Sequence, residues 1–117
     1  MTMLNEHLFF EALSDETRRR LLLLIMKQDE LCVCELFFAL DLPQPKISRH
    51  LAVIREAGIF ATRKEGTWVF YRLHPQLPLW AIKMLEMMAQ GIEHGNIYHQ
   101  DTKRLGVMEK RPSKCSI

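Results

Sequence analysis

The sequence has little of what membrane and secreted proteins need. Its longest uninterrupted hydrophobic run is Leu21–Met26, whereas a helix that spans a bilayer needs about 20 apolar residues. The N-terminus, MTMLNEHLFFEAL, also lacks the basic start and the small-residue cleavage site of a secretory signal. We therefore expect a cytoplasmic protein with no membrane partner.

Sequence signatures of common enzymes are also missing. The chain contains five glycines but no glycine-rich phosphate-binding loop, and its three cysteines include no Cys-x-x-Cys pair. With 117 residues it has the size of one small domain, which leaves little chain for a substrate cleft. We predict that the protein is not an enzyme; a thiol-dependent reductase that uses Cys32 or Cys34 is the alternative from that class.

A net charge of +2 hides an uneven distribution of charge along the chain. Residues 1–42 hold four basic and eight acidic side chains, whereas residues 43–72 hold six basic and two acidic ones. A basic stretch of this kind on a nearly neutral chain is typical of a surface that faces a polyanion. An ordinary solvated face is the other interpretation of the same charges.

Apolar residues at helical spacing predict five helices. They should cover residues 5–13, residues 15–28 with Ser14 as N-cap, the segment LCVCELFFAL, residues 44–57 with Gly58 just after the end, and the segment LWAIKMLEMMAQGI. Between the last two helices, IFATRKEGTWVFYRL has the β-branched and aromatic residues of a two-stranded hairpin.

This order of elements predicts an α+β fold that is mainly α. It is a winged helix-turn-helix whose wing is the two-stranded β-hairpin, with helices at both ends of the chain. We assign residues 1–101 to this domain. Residues 102–117, which are polar and contain Gly106 and Pro112, are expected to form a disordered tail.

The predicted helix at residues 44–57 has the features of a recognition helix, since Ile47, Leu51 and Ile54 form an apolar face opposite a polar one. Side chains that can pair with bases or phosphates are Gln44, Lys46, Ser48, Arg49 and His50. Arg63 and Lys64, at the hairpin turn, are placed to contact a phosphate or the minor groove. A surface helix whose polar residues only face water is the alternative.

Cys32 and Cys34 lie near the start of a predicted helix. On a regular helix their side chains would point about 200° apart, so we expect an ion bound by both sulfurs to strain or unwind the first turn. The helix dipole should stabilise the thiolates, and soft thiolates suit zinc, cuprous copper or arsenite. The alternative is that both are small buried side chains without a ligand.

Five segments, in chain order, resemble the ArsR/SmtB family and in particular its arsenical-resistance-operon repressors: LSDETRRRLL, ELCVCEL, QPKISRHL, REAG and RKEGTWVFYRL. The resemblance implies a winged-helix homodimer with terminal dimerisation helices that represses its own operon. It implies that As(III) or Sb(III) binds Cys32 and Cys34 as the inducer, with no other cofactor required, and that Gln44–Arg49 contact DNA. The two recognition helices of such a dimer should read an inverted repeat in double-stranded operator DNA.

Two positions depart from the pattern of the family. Close arsenite-sensing relatives often carry a third cysteine three residues after the second, where this chain has Phe37, and Pro43 takes the place of a capping Ser or Thr. The third thiol that arsenite prefers could come from Cys115 of the same or the other subunit, from a cellular thiol such as glutathione, or be missing.

The sequence does not exclude other inducers. Cadmium and lead sensors of the family add cysteines from the N-terminal segment, which has none here, and zinc sensors use Asp and His pairs on the last helix. Glu93, His94, His99 and Asp101 do not match that spacing, and we take them as surface residues at a helix end. A repressor of the same fold that responds to cadmium, lead or zinc, or to thiol oxidation, is the alternative function.

Overall fold

The computed structural model describes residues 4–112 of the chain, and in that part it contains six helices and three strands. In chain order these are α1 Glu6–Leu13, α2 Glu16–Gln28, β1 Glu30–Cys32, α3 Val33–Leu40, α4 Gln44–Glu56, β2 Phe60–Glu65, β3 Trp68–Leu73, α5 Leu79–Ile92 and α6 Asn96–Gly106. No helix among these residues is both long and apolar enough to cross a membrane.

The hydrophobic core lies between the helices of the first half of the chain and the sheet. α2 contributes Leu21 and Ile25, and α4 contributes Ile47, Leu51 and Ile54, all of them fully buried. Each side chain buried in this way contributes about 1.5–3 kcal/mol. The predicted apolar face of the fourth helix is confirmed, and its burial determines which side of α4 is left to face outward.

The three strands form an antiparallel sheet in the order β1-β3-β2. β2 and β3 are the predicted hairpin, and Gly66, at φ 64, lies in the turn between them. The segment LCVCELFFAL, predicted as a helix, begins instead in strand β1, where Cys32 pairs with Phe70. The helical prediction is wrong for its first two residues because the strand buries Leu31 and pairs its backbone with β3.

The junction between α1 and α2 differs by one residue from its prediction. Asp15, not Ser14, caps α2, and its carboxylate accepts the N–H of Arg18 at 3.1 Å. Ser14 ends α1 instead and donates its hydroxyl to the carbonyl of Glu11 at 2.6 Å. Both residue types are good N-caps, and the carboxylate of Asp15 interacts in addition with the positive end of the helix dipole.

α4 begins at a proline and ends before a glycine. Pro43 is its N-cap and makes no side-chain capping hydrogen bond, as its position in the sequence led us to expect. Pro45 lies in the first turn, where a helix has no internal N–H partner to lose. Gly58, at φ 90, turns the chain from α4 toward β2 in a left-handed conformation that favours glycine.

α6 is the main departure from the sequence prediction. Residues 102–106, expected in a disordered tail, are helical. Asp101, expected at the surface, is 1% exposed, and its two carboxylate oxygens accept from Arg20 of α2 at 2.8 and 2.9 Å. Residues 113–117 of the predicted tail lie outside the described part of the chain.

α6 could not be predicted from the sequence because of the way it is attached to the rest of the fold. Among its residues only Asp101 and Leu105 are buried, and a helix that buries a single apolar side chain leaves little apolar periodicity in the sequence. The ion pair joins residues 81 positions apart. A contact over that separation has no local signal.

Candidate DNA interface and thiol site

The first half of α4 presents four of the five residues predicted to contact DNA from that helix. Gln44, Lys46, Ser48 and Arg49 are exposed. Asp41, at φ 56, ends α3 in a left-handed conformation and starts the turn into α4. α3, this turn and α4 thus form a helix-turn-helix that leaves these polar residues on its free surface.

His50 does not join this exposed group. Its side chain is 18% exposed and faces the start of α2, where Asp15 lies 3.8 Å away and Nη1 of Arg18 lies 3.3 Å from its Nδ1. Arg18 can only donate, so Nδ1 accepts. Burial lowers the pKa of His50, Asp15 opposes this shift and Arg18 adds to it. His50 therefore braces α4 against α2 as a neutral ring.

The two basic residues predicted at the wing have different surroundings. Lys64 is exposed. Arg63 donates to both carboxylate oxygens of Glu30, at 2.8 and 2.9 Å, and to Glu65 at 2.7 Å. Its guanidinium lies 4.4 Å from the centre of the Phe70 ring, and its two carboxylate partners raise its pKa further above neutrality. Arg63 therefore fastens the wing to β1, whereas Lys64 faces solvent.

The sulfurs of Cys32 and Cys34 lie 3.4 Å apart. Cys32 is not inside α3 but is its N-cap, with the extended backbone angles φ −79 and ψ 153, and Cys34 is the second residue of the helix. The prediction that the two side chains point about 200° apart is wrong because it placed both on a regular helix. One ion can therefore meet both sulfurs without unwinding the first turn.

The Cys34 thiol is protonated at neutral pH. Burial raises the pKa of Cys34 to about 12, and the hydrogen bond to the Cys32 sulfur and the negative charges of Cys32 and Glu35 raise it as well. The expectation that the helix dipole keeps the Cys34 thiolate ionised is wrong here, because burial and neighbouring negative charge outweigh the dipole. An ion that binds this sulfur has to displace its proton.

Sequence reasoning missed two residues that lie beside the cysteine pair. Glu35, the third residue of α3, is completely buried. Its Oε1 accepts the N–H of Cys32 and its Oε2 accepts from Nε of Arg111, each at 2.8 Å. Cys32 and Glu35 have the spacing of a capping box, with cysteine in place of serine or threonine, and that spacing is the signal that points to Glu35. No local pattern points to Arg111, which is 76 residues away.

The described residues contain no larger set of candidate ligands. Among residues 4–112, no group of three or more His, Cys, Asp or Glu side chains is arranged to hold a metal ion. Glu93, His94 and His99 are exposed, and the candidate third ligand Cys115 lies outside that range. The two cysteines at the start of α3 are therefore the candidate site that the geometry supports.

These features define a class of protein. A helix-turn-helix with a β-hairpin wing beside it is the architecture of winged-helix DNA-binding regulators. Residues 15–60 match the model of the family described as bacterial regulatory protein, arsR family.

Two curated relatives extend the match over most of the chain. The arsenic resistance transcriptional regulator ArsR1 of Pseudomonas putida KT2440 is 48% identical over 110 residues, which are 94% of this chain and 84% of the relative. The arsenical resistance operon repressor of Escherichia coli K12 is 54% identical over 77 residues, 66% of each chain. The protein therefore belongs to the arsR family of bacterial regulatory proteins. Its members are transcriptional regulators, which confirms that the protein is not an enzyme and excludes the reductase alternative.

Solved structures confirm the winged-helix fold. HlyU from Vibrio cholerae has a TM-score of 0.66 at 32% sequence identity, over 74% of this chain and 90% of that one. The AntR antimony-specific transcriptional repressor has a TM-score of 0.61 at 27% identity, over 73% of this chain and 74% of its own. The predicted fold class, mainly helical with a hairpin wing, is correct.

The raised pKa of Cys34 has a consequence for its reactivity. At pH 8 we expect iodoacetamide to alkylate Cys34 at least about tenfold more slowly in the folded protein than in the urea-unfolded chain, because the thiolate is the nucleophile. Between pH 9 and 10 the rate should still rise about tenfold, whereas the rate of a free thiol, whose pKa is about 8.5, is then close to its plateau. Peptide mass spectrometry of timed samples measures the rate. Equal rates in the folded and unfolded chain would contradict the assignment.

Proposed function

We propose that this protein is an arsenite- and antimonite-responsive repressor that binds operator DNA as a homodimer and dissociates when As(III) or Sb(III) binds Cys32 and Cys34. The observation that carries the proposal is the 3.4 Å separation of the two sulfurs at the start of the helix that precedes α4. The relatives named above are described as arsenical resistance regulators, which supports the same class of inducer. A repressor acts where the DNA is, so its place is the cytoplasm.

The separation of the sulfurs suits a narrow angle at the bound ion. With bonds of about 2.3 Å, the length of zinc–thiolate bonds, sulfurs 3.4 Å apart subtend an angle of about 95°. Tetrahedral zinc prefers about 109°, which needs sulfurs about 3.8 Å apart. As(III) and Sb(III) carry a lone pair and bind three ligands in a pyramid with angles narrower than tetrahedral. The separation of the two sulfurs is therefore compatible with the narrow angle at As(III) or Sb(III).

Arsenite would bind by ligand exchange without a change in oxidation state. Each thiol proton leaves with a hydroxide of As(OH)₃ as water, and an As–S bond replaces an As–O bond. This route needs no pre-formed thiolate, which agrees with the protonated state of Cys34. Two exchanges leave one As–O bond that a third thiol can replace.

Cys115 of the same chain is our proposal for that third thiol. Arg111 is bound to Glu35 in the first turn of α3, and the four residues from Arg111 to Cys115 span at most about 14 Å. That reach is consistent with Cys115 of the same subunit meeting the thiol pair. The alternatives are that glutathione is the third ligand or that only two thiols bind the ion. The experiment below distinguishes them.

The link from the thiol site to DNA is α3 itself. It has eight residues and is about 12 Å long, with Cys34 in its first turn and Asp41 at its C-terminal end, where the turn into α4 begins. A shift of its first turn is therefore passed to the recognition helix. To weaken operator binding about 100-fold, the inducer must bind the free repressor more tightly than the DNA-bound repressor by about 2.8 kcal/mol.

The proposed dimer interface is the apolar face of α1 and α5. Phe10 and Trp80 are each 45% exposed, although their rings stack 6.4 Å apart. Leu79, Met84 and Met87 of α5 are also exposed. A second copy would cover this apolar surface and place two α4 helices to read an inverted repeat with half-sites about one helical turn apart.

The first experiment is a fluorescence-anisotropy titration of the protein on its own upstream DNA under reducing conditions. Arsenite should release the wild type but not the Cys32→Ser Cys34→Ser double variant. If Cys115 is the third ligand, Cys115→Ser should need at least about tenfold more arsenite for half-release, whether or not glutathione is present, because loss of a ligand costs at least as much as loss of a residue that only supports one. Release of the wild type by cadmium, zinc or peroxide but not by arsenite would overturn the proposed inducer.

The exposed residues of α4 predict a sequence-specific contact. Arg49→Ala should weaken operator binding by about 1–3 kcal/mol and relax specificity at one base pair, as expected when a bidentate contact to guanine is lost. Arg55→Ala, which removes the same charge from the last turn of α4, is the matched control. Competition anisotropy with single-base operator variants measures both. If Arg49→Ala weakens binding to all sequences alike, Arg49 contacts only phosphate.

The apolar face of α1 and α5 predicts a charge-sensitive dimer. Met87→Asp, at a position 67% exposed in the single chain, should convert the dimer into a monomer, because the new carboxylate is buried without a partner in the interface. Val107→Asp, at an apolar residue 73% exposed outside that face, is the control. Light scattering after size-exclusion chromatography gives the masses. A Met87→Asp variant with the mass of the wild-type dimer would place the interface elsewhere.

A further inference from the structure

The C-terminal segment of the described chain holds both ends of α3. At the C-terminal end, Arg104 donates to the carbonyl of Ala39 at 2.6 Å and Arg20 to that of Leu40 at 2.9 Å. Asp101 binds both arginines, with 2.8 Å to Arg20 and 2.9 Å to Arg104. At the N-terminal end, Arg111 reaches the first turn of α3. α6 and the residues after it therefore form a support for α3 over its whole length.

The contact at the N-terminal end is a buried ion pair. The Glu35 side chain is 0% exposed and that of Arg111 is 11% exposed, and Nη2 of Arg111 also approaches the side-chain oxygen of Gln28 at 3.5 Å. A buried carboxylate that loses a cationic partner is destabilised where it lies. It would move toward water, and that movement disturbs its hydrogen bond to the N–H of Cys32.

That hydrogen bond determines where the Cys32 sulfur lies. Cys32 is extended at the N-cap, and its N–H is held by the Oε1 of Glu35 at 2.8 Å. If the hydrogen bond is released, the backbone of Cys32 can rotate and its sulfur can leave Cys34. The 3.4 Å approach of the two sulfurs therefore depends on Glu35, and Arg111 is one of the groups that hold Glu35 in place.

Arg111 also supplies charge of the right sign for Glu35. The carboxylate lies beside the cysteine pair in a largely buried space, and the guanidinium of Arg111, 2.8 Å away, offsets its charge. A neutral side chain at position 111 would remove that offset.

We propose that Arg111 is a positioning residue of the inducer site: by binding the buried carboxylate of Glu35 it holds the Cys32 backbone at the N-cap of α3 and keeps the two thiols together for As(III) or Sb(III). The proposal rests on the proposed function for the identity of the ion. Arg111 does not touch the ion; it acts through Glu35.

The test compares Arg111→Gln with Arg111→Lys and with Lys110→Gln. Lys110 is an exposed neighbour, and its substitution removes the same charge. Each full-length protein is titrated with arsenite and, separately, with phenylarsine oxide, which needs only two thiols. Binding is followed by the near-ultraviolet absorption of the thiolate–arsenic bonds. Arg111→Gln should bind both probes about tenfold more weakly, the range seen when a partner of a ligand is removed. Arg111→Lys should recover part of the loss, and Lys110→Gln should match the wild type.

Glu35→Gln keeps the oxygen that accepts from Cys32 but removes the charge. In that background Arg111→Gln should have little further effect, because Arg111 acts through the carboxylate. Circular dichroism of every variant and its operator affinity without inducer separate loss of the site from loss of the fold. Equal probe affinity in Arg111→Gln and wild type, or a full tenfold loss in the Glu35→Gln background, would overturn the proposal.

Failure of the proposed function would look different. If the wild type binds neither arsenical, the proposed inducer is wrong. Alkylation then tests separately whether Arg111 holds the two thiols together. Iodoacetamide should modify Cys34 several-fold faster in Arg111→Gln than in the wild type, because separated thiols are more accessible. An unchanged rate would show that Arg111 does not hold the pair.

Discussion

The thiol site depends on one hydrogen bond, from the N–H of Cys32 to the buried carboxylate of Glu35. It sets the boundary between β1 and α3 so that Cys32 falls outside the helix and Cys34 inside it. Two cysteines on one regular helix would diverge, whereas an N-cap residue and the second helical residue can face each other. The capping geometry common to many helices is thus used here to bring two sulfurs together.

The thiol pair lies next to both parts of the surface that we propose to contact DNA. Through α3 it connects with the turn at Asp41 and then with α4. Through β1 it connects with the wing, because Cys32 pairs with Phe70 of β3 and Glu30 binds Arg63 of β2. Recognition helix and wing are therefore both attached to the short stretch of chain that carries the cysteines.

Apolar periodicity was enough to predict the helices that bury a hydrophobic face. α4 is the clearest example, since Ile47, Leu51 and Ile54 lie inward and leave Gln44 and Arg49 outside. The pattern could not predict α6, which is attached through the charged Asp101. It also missed β1, because a three-residue strand paired with a distant hairpin has no periodicity of its own.

The same limit applies to the site. Residue type and spacing identified Cys32 and Cys34, but the relative direction of their side chains followed from the helix boundary, which a regular-helix model placed wrongly. Arg63 and His50 were assigned to DNA from their charge and position in the chain. Their partners Glu30 and Arg18 come from other elements, and only the folded chain shows that these contacts exist.

The contact between Arg20 and Asp101 has a consequence for how the protein is made. The two residues are 81 positions apart, so a ribosome has produced most of the chain before the pair can close. Until then Arg20 has no carboxylate in α6 to bind, and the contact of Arg104 with the carbonyl of Ala39 is also missing. A nascent chain that has not yet reached α6 therefore lacks the ties that hold the C-terminal end of α3, and we expect this part of the fold to be completed last.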